Sequence, residues 1–179
     1  RQDLPATPDG SPKEPQLIPV SMGLLAQDGR EVLETQMLEL TEIEQVFTFN
    51  GITQKPILSV LRDYSAPVIV HHAQSAADRA VLLAHDTDPF NRWDAGRMLA
   101  RDVLVDMTLN GSSPDTAFLD GLAAVLRDDS LDPAFRALAL SIPSEDETAQ
   151  AIVDGGSIPE PLYIHLAHEA LKLQIAQHL

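Results

Sequence analysis

A small antiparallel β-sandwich followed by a solenoid-like α-helical array is the fold class that this 179-residue sequence predicts. Two observations lead there. Before residue 75, apolar residues alternate with polar ones between hairpin-type turn signals, the period of strands with one buried face. After it, apolar residues recur at three- and four-residue steps, and helix starts are announced by cap residues followed by proline or by capping boxes. The organisation expected is a flexible lead-in over 1–15, a sandwich over 16–74 and a helical domain over 75–179, truncated at its C-terminal end.

In the lead-in, Pro5, Pro8, Pro12 and Pro15 with Gly10 and Ser11 favour extended, unpaired backbone. Ile18, Val20, Met22 and Leu24 then alternate with Pro19, Ser21 and Gly23, and Pro19 puts this first strand at an edge. Asp28 and Gly29 predict a two-residue hairpin turn with both central residues at positive φ, leading to a second strand through Val32 and Leu33. A further strand is expected over 42–49, closed by Asn50 and Gly51. Others should run through Ile57, Leu58, Val60 and Leu61, and through Val68, Ile69 and Val70. A sandwich of about 60 residues stands near the lower size limit for independent folding.

The helical part is organised around Asp88, Pro89, Phe90, Asn91, Arg92, Trp93 and Asp94. Asp88 is a strong N-cap and Pro89 suits the first helical position. Downstream, Trp93, Gly96, Leu99, Ala100, Val103, Leu104 and Met107 mark the core face, and Asp94, Arg97, Arg101 and Asp102 the wet one. Trp93, the only tryptophan, is expected to be a buried anchor. An earlier short helix spans 76–85 with Ala77, Ala80, Val81 and Ala84 inward. Ser113 with Pro114 and Asp132 with Pro133 repeat the cap-then-proline start, and Phe118, Leu119, Leu122, Val125 and Leu126 form the stripe of the first of these. Phe135, Leu138 and Leu140 to Ile142 form the stripe of the second, which Pro143 ends. Ser144 with Glu147 and Ser157 with Glu160 read as capping boxes, so two more helices should open there. The last helix carries one apolar stripe at Leu162, Leu166, Ala170 and Leu173 and another at Ile164, Ala167, Leu171 and Ile175. The outer helix of a complete array has a polar face, so this one is expected to await another helix, to self-associate or to be mobile.

Composition narrows function. The net charge is −15, with only twelve Lys and Arg; residues 1–74 hold five basic against ten acidic groups and the remainder seven against seventeen. That excludes a nucleic-acid surface and disfavours anionic membranes. No cysteine is present, which removes disulfides, thiolate metal sites and cysteine nucleophiles and points to a reducing, cytoplasmic compartment. No apolar run reaches the roughly 18 to 20 residues of a membrane span, and no leader pattern opens the chain.

Each candidate for chemistry has a plainer explanation. His165 and His168 lie three apart with Glu169 beside them, but a zinc hydrolase helix needs His four apart with Glu after the first, and two imidazoles supply too few ligands. They read as a solvated or interfacial pair, and His71 and His72 as surface residues on opposite sides of an extended segment. No Gly-x-Ser-x-Gly elbow or phosphate-cradling loop occurs. Gly155 with Gly156 is a helix end, and Glu145, Asp146 and Glu147 favour a helix dipole. No catalytic, cofactor-binding or metal-ligating residue is assigned.

Two stretches carry a family resemblance. Leu61, Arg62, Asp63, Tyr64, Ser65, Ala66, Pro67, Val68, followed by Asp88, Pro89, Phe90, Asn91, Arg92, Trp93, Asp94, Ala95, resembles the junction between the small sandwich and the C-terminal helical domain of the bacterial aminopeptidase N (alanyl aminopeptidase) family of zinc metallopeptidases. Leu40, Thr41, Glu42, Ile43, Glu44, Gln45, Val46, Phe47, Thr48, Phe49 resembles that family's sandwich. The resemblance implies zinc held by a His-Glu-x-x-His helix and a downstream Glu, with a Gly-x-Met-Glu-Asn motif gripping the substrate's amino terminus. None of these motifs is in this sequence, so no site residue is carried over. The implied role is a non-catalytic scaffold beside the parent's own catalytic domain, meeting peptide substrates only through the parent. The alternative is a free-standing protein-interaction module.

Overall fold

The computed structural model describes residues 1–4 and 6–179, so Pro5 of the lead-in lies outside the described residues. The chain divides into two compact units, Arg1–His72 and Ala73–Leu179.

The first unit is built on a three-stranded antiparallel sheet in the order β2-β1-β3, with β1 Ile18–Leu25, β2 Glu31–Leu40 and β3 Ile57–Val60. β1 is the central strand and not the edge that Pro19 suggests. The proline is tolerated because it sits at the start of the strand, opposite Glu39 and outside the stretch that pairs with β3. Register runs from Ile18 opposite Leu40 to Met22 opposite Gln36, then shifts through a bulge to Leu24 opposite Leu33. The β1–β2 turn is also longer than the two residues expected. Gly29 donates to the Ala26 carbonyl (3.0 Å) and Ala26 to the Arg30 carbonyl (2.8 Å), and Gly29 alone takes positive φ (83°). This is the three-residue loop with glycine at the left-handed position.

Residues 42–49 and 68–70 are not strands. Val46 is 84% exposed and Ile69 86%, so β-type side chains lie on segments with no neighbouring strand among the described residues. The lead-in is anchored at its start, since the buried Gln2 side chain donates to the Gln16 carbonyl (2.6 Å) and accepts from the Gln16 amide (3.0 Å), and its own amide donates to the Ile43 carbonyl (2.8 Å).

The second unit is six helices: α1 Ala76–His85, α2 Pro89–Asn110, α3 Thr116–Arg127, α4 Pro133–Ala139, α5 Glu145–Asp154 and α6 Pro161–His178. Capping residues set most of the starts. Ser75 with Asp78 and Ser144 with Glu147 close capping boxes, and Asp88 and Asp132 accept amide protons from the first turns they open. Two starts differ from expectation. Asp115 rather than Ser113 caps α3, its carboxylate accepting from the Ala117 amide (2.9 Å). α6 begins at Pro161 rather than after Ser157, because a helix opened at Ser157 would place Pro161 where an amide must donate to a carbonyl four residues back. α4 stops at Ala139, ahead of Pro143.

The core gathers Leu83 of α1, Leu99 and Leu104 of α2, Phe118, Leu122 and Val125 of α3, and Leu171 of α6. Leu83 sits between two glycines on different helices. A Cβ on Gly96 would come within 2.8 Å of its side chain and one on Gly121 within 2.9 Å, so both glycines permit close approach. The inward face of α1 is therefore Ala80, Leu82 and Leu83 rather than the alanine stripe. On α6, Ile164, Ala167 and Leu171 are buried and Ile175 half-buried, whereas Leu162, Leu166 and Leu173 remain exposed. No helix among the described residues is long and apolar enough to cross a membrane.

Candidate functional site

The most elaborate polar arrangement lies where α1 ends and α2 begins. Arg92 has its guanidinium inside the fold, although arginine is seldom buried unpaired. Its Nε donates to the Leu83 carbonyl (3.1 Å) and Nη2 to the Ala84 carbonyl (2.9 Å), two of the carbonyls that the last turn of α1 leaves without helical partners. Nη1 reaches Asp128 at the C-cap of α3 (3.1 Å). One planar fork thus joins three helices, and a cation is favourably placed at the C-terminal end of α1. Asp128 is held below the usual carboxylate range, first by the Ser130 hydroxyl and next by Arg92. Asp86, also buried, accepts from the Asp88 amide (3.0 Å), and Asp88 accepts from the Asn91 amide (2.8 Å).

Trp93 is half-buried and not the deep anchor expected. Its ring lies 5.7 Å from that of Phe90 at a tilt of 45°, and the Arg97 guanidinium stands 5.7 Å over its face. Arg97 also binds Glu147 on α5. Glu147 is lowered from 4.5 to about 2, first by the Ser144 amide of its own capping box, then by Arg97 and the Ser144 hydroxyl. The acidic start of α5 is therefore engaged in capping and interhelical pairing, with Glu145 bonded to His165 (2.9 Å).

The two histidines of α6 part company. His165 is exposed at the Glu145 carboxylate, whereas His168 is buried with Nε2 3.0 Å from the Thr148 hydroxyl. That hydroxyl donates to the Ser144 carbonyl (3.0 Å), so it accepts from His168, which fixes the neutral ring with its proton on Nε2. Burial first, and Lys172 and His165 after it, push the His168 pKa down, against the pull of Glu145 and Glu169. A histidine held this way is a packing group between α5 and α6. Among the described residues no three His, Asp, Glu or Cys side chains gather as a metal cluster. The histidine pair does not fit a zinc ion. His71 and His72 are both exposed.

In the first unit the corresponding element is Arg62, 2% exposed. Its partners include Ser59 (2.9 Å), Thr35 (2.8 Å) and Glu31, and a Cβ on Gly23 would fall 2.4 Å from the guanidinium carbon. Leu61, Asp63 and Tyr64 around it take positive φ of 54–58°, a conformation costly for residues with side chains. Sequence reasoning missed the burial of both arginines. The available signal is an Arg inside each of the two junction motifs, beside a strand end in one and a helix start in the other.

The fold and these sites define a class: a small β unit followed by a helical-repeat array, each locked by a buried arginine. The family described as an Ig-like fold of the domain DUF3458 matches residues 1–73, and that described as ARM repeats of DUF3458_C matches residues 76–179. An Ig-like fold followed by ARM-type helices is the β-then-α architecture that the sequence predicts. The chain belongs to the bacterial aminopeptidase N family, of which it represents the DUF3458 region. It is 38% identical to aminopeptidase N of Caulobacter vibrioides over 163 residues, covering 89% of this chain and 18% of that protein. Aminopeptidase N of Escherichia coli is 30% identical over 191 residues, covering 99% of this chain and 21% of that one. Legionella pneumophila aminopeptidase A, solved in complex with aspartic acid, superposes with a TM-score of 0.75 at 28% identity over 90% of this chain and 19% of its own. The chain thus spans about a fifth of the length of these relatives.

Proposed function

We propose that this chain is a non-catalytic scaffold within a longer cytoplasmic zinc aminopeptidase that removes N-terminal residues from peptides. The carrying observation is that it aligns with nearly all of its own length to about a fifth of aminopeptidase N. Zinc belongs to the parent's catalytic domain, which is the scaffold's partner, and peptides meet the scaffold only through that parent. The residues here that resemble metal ligands support this division, since His168 is committed to Thr148 and His165 to Glu145. A cytoplasmic home is supported by the absence of cysteine.

The test is a paired preparation. The longer polypeptide should hydrolyse an aminoacyl chromogenic substrate, lose that activity to a chelator and regain it with zinc, and its sequence should contain a His-Glu-x-x-His helix outside residues 1–179. A native open reading frame lacking that helix, or one inactive in the presence of zinc, would overturn the reading in favour of a free-standing interaction module.

A further inference from the structure

Two Asn-Gly pairs occur in the chain, Asn50 with Gly51 and Asn110 with Gly111, and the fold treats them differently. Such a pair is chemically distinctive because glycine has no side chain to hinder its own backbone nitrogen, which can therefore approach the amide carbon of the preceding side chain. Asn110 is the last residue of α2. Its Nδ2 donates to Asp106 one turn earlier (2.6 Å), and the Gly111 amide donates to the Met107 carbonyl (3.0 Å). The nitrogen that would attack is thus held by a helical carbonyl, and attack must wait for that turn to open.

Nothing comparable holds Asn50 and Gly51. In a hairpin turn they would be clamped between ladder hydrogen bonds, but residues 42–49 form no strand. Both residues are exposed, and among the described residues neither the Asn50 side chain nor the Gly51 amide has a hydrogen-bond partner. Gly51 takes a φ of 81°, and a Cβ placed on it would meet nothing within 4 Å, so the space around the pair is open.

We propose that Asn50 with Gly51 is a self-modification site, converting to isoaspartyl and aspartyl forms with water as co-reactant, whereas the fold protects Asn110 with Gly111. The Gly51 nitrogen, its proton lost to a base in the solvent, bonds to Cγ of Asn50. The Cγ–Nδ2 bond breaks, and Nδ2 takes up a solvent proton and leaves as ammonia, so that a succinimide remains. Water then opens the ring. Cleavage between Cγ and the nitrogen gives aspartate; cleavage between the nitrogen and the Asn50 backbone carbonyl carbon routes the chain through Cγ and frees the α-carboxylate. No oxidation or reduction occurs, and either product gains a negative charge. Gly51 lines a cleft of about 310 Å³ together with Arg30 and Lys55, whose charges oppose that of the new carboxylate, while Glu31 in the same wall is committed to Arg62.

The test is to age the 179-residue protein in buffer and follow the peptides that carry positions 50 and 110 by mass spectrometry, reading the mass gained when an amide becomes an acid and locating it by fragmentation. The isoaspartyl form is read by methyl transfer from an isoaspartate-specific O-methyltransferase. Residues 31–62, released by cleavage after Arg30 and Arg62, contain no aspartate, so any isoaspartate in that peptide comes from Asn50. In the folded chain Asn50 should convert about tenfold faster than Asn110, which waits for α2 to open. The rate at Asn50 should rise with pH, because the attacking nitrogen must first lose its proton. In urea the two rates should come together, since the difference lies in the fold. Asn50→Gln should remove the isoaspartyl signal from the 31–62 peptide. Conversion of Asn110 as fast as Asn50 in the folded chain, a gap that persists in urea, or an isoaspartyl signal that survives Asn50→Gln would each overturn the proposal.

Discussion

The two buried arginines do unlike jobs with the same side chain. Arg62 holds the β unit through partners that include the side chains of Glu31, Thr35 and Ser59, beside a backbone turned into a costly conformation around it. Arg92 holds the helical unit mainly through main-chain carbonyls at the end of α1, with Asp128 as its counter-ion. Glu31, partly exposed, can turn away and hydrate when the arginine is lost, whereas a helix-terminal carbonyl is fixed in place. Glu31 and Asp128 are both about three-tenths exposed, so the acids do not distinguish the two sites.

The largest effect should therefore come from Arg92→Met, about 3–5 kcal/mol from the helical unit, read by urea unfolding with hydrogen exchange to assign the loss to α1 and α2. Arg62→Met should cost the β unit less, about 2 kcal/mol, because Glu31 can rehydrate. A larger loss at Arg62 than at Arg92 would break the comparison. Trp93→Ala should cost only about 1–2 kcal/mol, since the ring is half-exposed and its contacts are Phe90 and Arg97 rather than the core.

The smallest effects are pH-dependent and separate α5 from its neighbours. His168 has a folded pKa below its ordinary 6.5, so the unfolded chain takes up the proton first as pH falls. Its contribution to stability is complete above pH 6.5 and is lost as pH falls through and below that value. Glu147 has a folded pKa of about 2 against an ordinary 4.5, so its contribution is complete above 4.5 and is lost between 4.5 and about 2. His168→Gln should flatten the upper window and Glu147→Gln the lower one in a pH series of thermal melts. Each should leave the other window unchanged; a shared loss would mean that the two contacts titrate as one.

What is legible in the sequence is local. Asp88, Asp132 and the Ser144–Glu147 pair announce their helices because a cap acts on amides within three residues of itself. Errors arise where two local signals compete, as with Ser113 against Asp115, or Ser157 against Pro161. They also arise where a pattern needs a distant partner. Val46 and Ile69 read as strand residues, yet a strand exists only with a neighbour to pair with, and alternation does not supply one. Burial of Arg62, Arg92 and His168 is illegible for the same reason. Their partners lie on other elements: Thr35, 27 residues before Arg62; Asp128, 36 residues after Arg92; and Thr148, 20 residues before His168.

The central claim is that this chain supplies support and no chemistry. It is tested most directly by offering the purified 179-residue protein an aminoacyl chromogenic substrate in the presence of zinc, with metal content measured on the same sample. No turnover and less than stoichiometric zinc are expected. Turnover that co-purifies with the chain, disappears with a chelator and returns with zinc would contradict it.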